Sequence, residues 1–161
     1  MNCTEFLSKI NRLLPICSAH NYDFISVFRV LFMIAGVGVD IVSVERMAKI
    51  SQRLEMRFLT RIFTPEEIAV CHGRKGRAAF EAFAGRFAVK EAFKKALTAA
   101  GRDLHLDWKD VSVQNEPNGL PVLRFSPRIQ SRVGDLRWHV SLSHEHQFAV
   151  AVVICEEISR E

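Results

Sequence analysis

Two carboxylates in this sequence sit where carboxylates are expensive. Asp40 belongs to Gly36-Val37-Gly38-Val39-Asp40-Ile41, whose alternation reads as a strand with Asp40, Gly36 and Gly38 on one face. Glycines leave that face without side-chain bulk, so a ligand could approach the backbone closely. Glu91 lies in a long helical stretch. At about 100° per residue, with Phe80 set to 0°, Ala84 falls near 40°, Phe87 near 340° and Glu91 near 20°. Glu91 is thus centred on an apolar face, with Lys94 (about 320°) and Lys95 (about 60°) on either side. Lys90, at about 280°, points elsewhere. An unpaired buried carboxylate costs several kcal/mol or shifts its pKa. A structural ion pair with Lys90, Lys94 or Lys95 accounts for Glu91 as well as a role in chemistry does. Two carboxylates converging from different elements, amid Lys and Arg, suit Mg²⁺ shared with phosphate oxygens. Magnesium typically takes one or two protein carboxylates and completes its octahedron with water and phosphate.

A third group is Val140-Ser141-Leu142-Ser143-His144, whose hydroxyls and imidazole at a strand end could hold a phosphate. A Ser-His nucleophile pair competes with that reading, but neither serine has a Gly-rich nucleophile elbow around it. An ordinary polar strand end before a hairpin accounts for the same residues.

The elements that must carry these groups are legible in outline. A strand runs from Ile34 to Ile41. Ser43 caps a helix reaching about Leu59. In it Met47, Leu54 and Phe58 share one side, and Arg46, Lys49, Arg53 and Arg57 share a neighbouring one. Thr64-Pro65-Glu66-Glu67 starts a second helix, with a cap, a proline at the first position and acids in the first turn. After the basic loop Arg74-Lys75-Gly76-Arg77, the longest helix spans about Ala78 to Ala100 and stops at Gly101. Trp108–Val113 reads as a strand, 115–119 as a turn and Pro121–Phe125 as its partner. A short helix covers Pro127–Val133. Arg137–Ser143 and Gln147–Cys155 alternate well, joined by His144-Glu145-His146.

The chain has 161 residues, 48% hydrophobic and 25% charged, enough for one domain with a real core and too apolar for a disordered chain. No run of about 18 apolar residues occurs, which argues against a membrane-spanning helix. Cys3, Cys17, Cys71 and Cys155 show no C-x-x-C spacing, so neither a zinc site nor a disulfide scaffold is expected, and free thiols fit a reducing cytoplasm. Between Arg46 and Arg102 there are 13 Lys and Arg against 5 Asp and Glu. That basic middle fits an anionic ligand or partner. Residues 1–32 join no long periodic element. They read as a poorly ordered extension, or as residues ahead of a true start at Met33, which leaves 33–161 as the domain.

Taken in order, Gly36-Val37-Gly38-Val39-Asp40-Ile41, Phe83-Ala84-Gly85-Arg86-Phe87-Ala88-Val89-Lys90-Glu91-Ala92, Asn118-Gly119-Leu120-Pro121 and Val140-Ser141-Leu142-Ser143-His144 resemble holo-(acyl-carrier-protein) synthase, the small bacterial type of 4′-phosphopantetheinyl transferase. The resemblance spans about Met33 to Glu156. It implies an α+β fold, the 4′-phosphopantetheinyl transferase fold, with a small antiparallel sheet packed against one long helix and shorter helices. It also implies transfer of the 4′-phosphopantetheine arm of coenzyme A to a serine of apo acyl carrier protein, as in fatty acid biosynthesis. On this resemblance Asp40 and Glu91 are the Mg²⁺ ligands and Lys95 contacts the breaking pyrophosphate. Arg86, Asn118, Gly119, Pro121, Ser141 and His144 form the coenzyme A nucleotide site, with His144 on the 3′-phosphate. Arg46, Lys49, Arg53 and Arg57 dock the acidic carrier. A cytoplasmic homotrimer with active sites between subunits follows, with no nucleic acid and no membrane as partner. The competing classes are a basic nucleic-acid-binding module and a metal-dependent pyrophosphate hydrolase. The first lacks a stacking-aromatic strand motif and helix-turn-helix spacing; the second leaves the basic stripe without a protein acceptor.

Overall fold

A computed structural model describes residues 33–158; the expectations for residues 1–32 lie outside the described residues. Strand β1 is Ile34–Ser43. Its last residue caps α1, Val44–Ile62, by accepting a hydrogen bond from the Arg46 amide at 3.2 Å. Helix α2, Pro65–His72, starts at the expected Thr64 cap, which forms a capping box with Glu67. Helix α3, Arg77–Ala99, is the long central helix. It ends where Gly101 takes φ +70°, a left-handed conformation that glycine adopts without cost.

The hairpin of β2, Val111–Asn115, and β3, Pro121–Phe125, follows. Helix α4 is Pro127–Val133. Strands β4, Leu136–Glu145, and β5, Phe148–Glu157, close the fold. β1, β5 and β4 make a three-stranded antiparallel sheet in that order, and β2–β3 form a separate two-stranded one. The α+β expectation holds.

Two boundaries differ from the sequence reading. Trp108–Asp110 is a 3-10 turn, not the start of a strand. The Asp107 amide donates to Asp110 Oδ2 at 2.7 Å, and the Asp110 amide to the Asp107 carbonyl at 3.0 Å. That local capping winds the chain before β2 can begin. The β4–β5 turn is shorter than His144-Glu145-His146. His144 pairs with Ala149 and Glu145 with Phe148, so both stay in the strand and a two-residue turn suffices.

The core is built on close approach of small residues. Ala84, Ala88, Ala92 and Ala96 recur every fourth residue on α3 and are fully buried. Opposite them on the sheet, Gly36 pairs with Cys155 and Gly38 with Val153. A β-carbon added at Gly38 would lie 1.9 Å from the Ala92 carbonyl oxygen, and one at Gly36 would lie 2.1 Å from that of Ala96. This corrects the expectation for the glycine face: α3 approaches it, not a ligand. The other face carries Val37, Val39 and Ile41 on β1 and Phe148 and Val150 on β5, all exposed.

Candidate active site

Because α3 lies against the Gly36 and Gly38 positions, the next residue on that face, Asp40, meets the same helix. Lys95 reaches back along α3 and donates to Asp40 Oδ1 and to the Val39 carbonyl, each at 2.8 Å. The Asp40 side chain is 18% exposed, so solvent still reaches its carboxylate. Glu91 stands one turn before Lys95 and one residue before Ala92, whose carbonyl faces Gly38. Strand and helix therefore place Asp40 on Lys95, one helical turn from Glu91. Glu91 is not buried: its side chain is 30% exposed, at the edge of the apolar face, with Lys94 Nζ 3.4 Å away. Lys94 in turn lies 3.2 Å from the centre of the Trp108 ring.

The chemistry of this donor set suits a hard cation. It offers carboxylate oxygens only, and Asp40 already holds a positive charge, the Lys95 ammonium. Among the described residues no three His, Cys, Asp or Glu side chains cluster into a closed cage. Two open carboxylates leave the remaining positions to water and phosphate, as Mg²⁺ requires.

A cleft of about 340 Å³ opens farther toward the N-terminus of α3, lined by Arg74, Glu81, Ala82, Arg86, Asn115, Gly119, Pro121, Leu142, Ser143 and His144. Arg86 is 4% exposed. Its Nη2 donates to Asn115 Oδ1 at 2.9 Å, and Asn115 Nδ2 donates to the Gly119 carbonyl at 2.9 Å. Arg86 Nε is buried and has no hydrogen-bond partner among the described residues. The guanidinium is held at the wall of the cleft, where its fixed positive charge favours an anion. Glu81 Oε2 lies 3.6 Å from His144 Nδ1, and Arg77 Nε lies 3.4 Å from Glu81 Oε1. This carboxylate lies beside the histidine within an otherwise basic cleft.

Of the residues expected at the nucleotide site, Arg86, Gly119, Pro121 and His144 line this cleft together. Two do not. Asn118 is exposed and its Oδ1 accepts from the Leu120 amide at 3.0 Å, which shapes the turn. Ser141 stands opposite Val152, which stands opposite Val39, so it belongs to the exposed apolar face. Ser143 lines the cleft in its place. Sequence reasoning missed Asn115 and Glu81, had Ser143 only among the hydroxyls that could hold a phosphate, and named Arg74 only as part of a basic loop. Asn115 carried one usable signal, its position at the start of the turn that contains Gly119.

On α1 the four basic residues Arg46, Lys49, Arg53 and Arg57 are exposed on the helix, and Lys49 pairs with Glu45 at 2.6 Å. Leu54 is 47% exposed rather than packed beside Met47. It stands next to the stripe, not under it, because α1 turns its Val44, Met47, Leu59 and Ile62 positions to the core.

A family model described as the 4′-phosphopantetheinyl transferase superfamily matches residues 36–153. The holo-(acyl-carrier-protein) synthase of Koribacter versatilis is 44% identical over 128 residues, 78% of this chain and 100% of that protein. That of Halothermothrix orenii is 39% identical over 78% of this chain and 99% of its own length. Among solved structures, the Bacillus anthracis holo-(acyl-carrier-protein) synthase in complex with CoA (3′,5′-ADP) aligns with TM-score 0.63 at 35% identity, covering 78% of this chain and 98% of that one. The Helicobacter pylori enzyme in complex with coenzyme A aligns with TM-score 0.63 at 32% identity, over 74% and 98%. A match across the whole folded region, with both carboxylates and the Arg86 cleft inside it, places this chain in the 4′-phosphopantetheinyl transferase superfamily as a holo-(acyl-carrier-protein) synthase.

Proposed function

We propose that this protein transfers the 4′-phosphopantetheine group of coenzyme A to a serine of apo acyl carrier protein, releasing adenosine 3′,5′-bisphosphate. The observation that carries the reading is one helix serving two sites. Along α3, Arg86 enters a basic cleft, Glu91 follows about one and a half turns later, and Lys95, about two and a half turns on, meets Asp40. On this reading a nucleotide held in the cleft extends its pyrophosphate along α3 toward the carboxylates. Incubating the protein with coenzyme A, Mg²⁺ and apo carrier protein, then weighing the carrier, tests it. A carrier heavier by one phosphopantetheine is expected. An unmodified carrier with cleaved coenzyme A would indicate a hydrolase instead.

Asp40 and Glu91 are the residues that would hold Mg²⁺. Bound there, the metal supplies charge neutralisation for pyrophosphate oxygens. Lys95 adds a cation beside Asp40, and Arg86, Arg74 and His144 orient the nucleotide phosphates. Serine Oγ attacks the phosphorus that carries the pantetheine arm, its proton passes to the solvent that reaches this open site, and the bond to adenosine 3′,5′-bisphosphate, the leaving group, breaks. Little covalent work falls to the protein, so positioning and charge dominate.

His144→Ala is expected to weaken coenzyme A binding about tenfold or more, the value of a charge-assisted hydrogen bond. Dephospho-coenzyme A, which lacks the 3′-phosphate, should lose much less. Titration calorimetry with both ligands decides it, and equal losses would give His144 a purely structural part.

The α1 stripe is read as the docking surface for an acidic carrier. Exposed charges add only about 0–1 kcal/mol to stability but steer encounter. Arg46→Glu with Arg57→Glu should raise the carrier KM and leave coenzyme A binding unchanged. Added salt should raise the wild-type carrier KM, since the Debye length is about 8 Å at physiological ionic strength. Steady-state rates against carrier concentration at two salt levels are the check. An unchanged KM would move docking elsewhere.

A homotrimer with sites between subunits is the proposed assembly. The exposed Val37, Val39, Ile41, Phe148 and Val150 are the face it would cover, and Ser141 on that face would then adjoin a neighbour's site. No helix among the described residues is long and apolar enough to cross a membrane. Cytoplasmic residence belongs to the same proposal.

A further inference from the structure

The most demanding polar feature of the core lies outside both sites. Lys90 is 0% exposed and Glu67 1%, yet they are 23 residues apart in sequence and on different helices. Lys90 Nζ lies 2.9 Å from Glu67 Oε2, 2.9 Å from the Trp108 carbonyl and 2.6 Å from that of Val111. Three donors thus meet three acceptors. Glu67 Oε2 also accepts from the Thr64 amide, and Oε1 from the Val113 amide, each at 2.9 Å. One charge pair therefore ties together the start of α2, α3, the 3-10 turn and β2. Burial pushes the Lys90 ammonium below its ordinary value, and the Glu67 carboxylate opposes that shift.

Stability alone does not account for such a pair. Well-packed apolar residues of similar volume are often as stable or more so. What the pair adds is direction, and its directions lead to the site. It grips β2, whose last residue, Asn115, holds Arg86 at 2.9 Å. It also grips the Trp108 carbonyl. The Trp108 ring stacks on Phe87 with centroids 5.1 Å apart and carries Lys94 on its other contact, and Lys94 pairs with Glu91. Arg86 and Glu91 flank Lys90 on the same helix. An apolar pair would let α3 slide or rotate against β2 and carry both residues with it.

We propose that Glu67 and Lys90 are positioning residues for transfer, fixing α3 against β2 so that Arg86 and Glu91 address nucleotide and metal together. The inference rests on the transferase reading above. The test uses three variants: Glu67→Gln, Glu67→Gln/Lys90→Met and Glu67→Leu/Lys90→Met. Each is measured by circular dichroism, by coenzyme A binding without carrier and by steady-state transfer. The double variants remove both charges, so no unpaired ion stays buried. The expected result is folded protein with kcat lowered at least about tenfold, since a misplacement of about 1 Å can cost on the order of a hundredfold, and with weaker coenzyme A binding. A folded double variant with wild-type kcat and coenzyme A affinity overturns the proposal. Loss of fold in all three variants overturns it too, because the pair would then serve core stability alone. A wild-type protein that binds coenzyme A but leaves the carrier unmodified sinks the transferase reading instead, and the variants' coenzyme A affinities still decide the role of the pair.

Discussion

Asp40→Ala and Glu91→Ala are each expected to abolish phosphopantetheine transfer while the protein stays folded. The activity loss follows from charge. Metal-assisted neutralisation of phosphate oxygens is worth several kcal/mol in the transition state, and each 1.36 kcal/mol is about tenfold in rate. Losing one of two ligands should therefore cost about a thousandfold or more. The fold should survive because neither carboxylate is buried: Asp40 is 18% and Glu91 30% exposed at the side chain. Of their lysine partners Lys95 is exposed and Lys94 half-buried, and solvent-accessible pairs contribute about 0–1 kcal/mol. In Asp40→Ala, Lys95 keeps its hydrogen bond to the Val39 carbonyl. Asp40→Asn separates shape from charge and should be nearly as inactive. The measurement is the rate of holo carrier formation across Mg²⁺ concentrations, beside a thermal melt. Full activity in either alanine variant would sink the metal assignment.

Gly38→Ala should damage the fold itself, although one methyl group is the smallest change possible. The added carbon would meet the Ala92 carbonyl oxygen at 1.9 Å, the Ala96 amide nitrogen at 2.6 Å and the Ala92 carbonyl carbon at 2.9 Å. All three are backbone atoms, so no rotamer change relieves the clash. Helix α3 must move away from β1 by more than 1 Å, and that separation is what holds Lys95 on Asp40. Overpacking typically costs about 1–3 kcal/mol even where side chains can yield. Here the cost should reach or exceed the top of that range, against a total stability of about 5–15 kcal/mol. Gly73→Ala is the control, since its new carbon would lie at an ordinary 3.5 Å from its neighbours, and it should shift stability by less than about 0.5 kcal/mol. Urea unfolding midpoints of the two variants are the check. A Gly38→Ala protein as stable as wild type would mean that α3 is not bound to this close approach.

Local chemistry was legible wherever it is decided by neighbours in the chain. The alternation of Val37, Val39 and Ile41, the Ser43 and Thr64 caps, the stop at Gly101 and the hairpin around Gly119 each depend on a few adjacent residues. So does the order of motifs around Asp40 and Glu91, which pointed to the family before any fold was known. Trp108–Asp110 marks the limit even there. Its aromatic and charged residues read as a strand, and a mutual capping of Asp107 and Asp110 turned them into a helical turn.

Sequence alone therefore marked most of the elements, the two acids as candidates and the basic stripe on α1. Tertiary structure decided what faces what. Period-two alternation says that Asp40 and the glycines share a face, but not that α3 occupies it. Strand register, which a shift of one residue would invert, put Ser141 on the exposed sheet face and His144 beside the cleft. Helical angles left Lys90 pointing nowhere in particular, and its partner proved to be a capping glutamate 23 residues away. Such pairings cannot be read locally because a buried charge is satisfied by whichever acceptors the packed core brings within about 3 Å, and that is set only when distant elements meet.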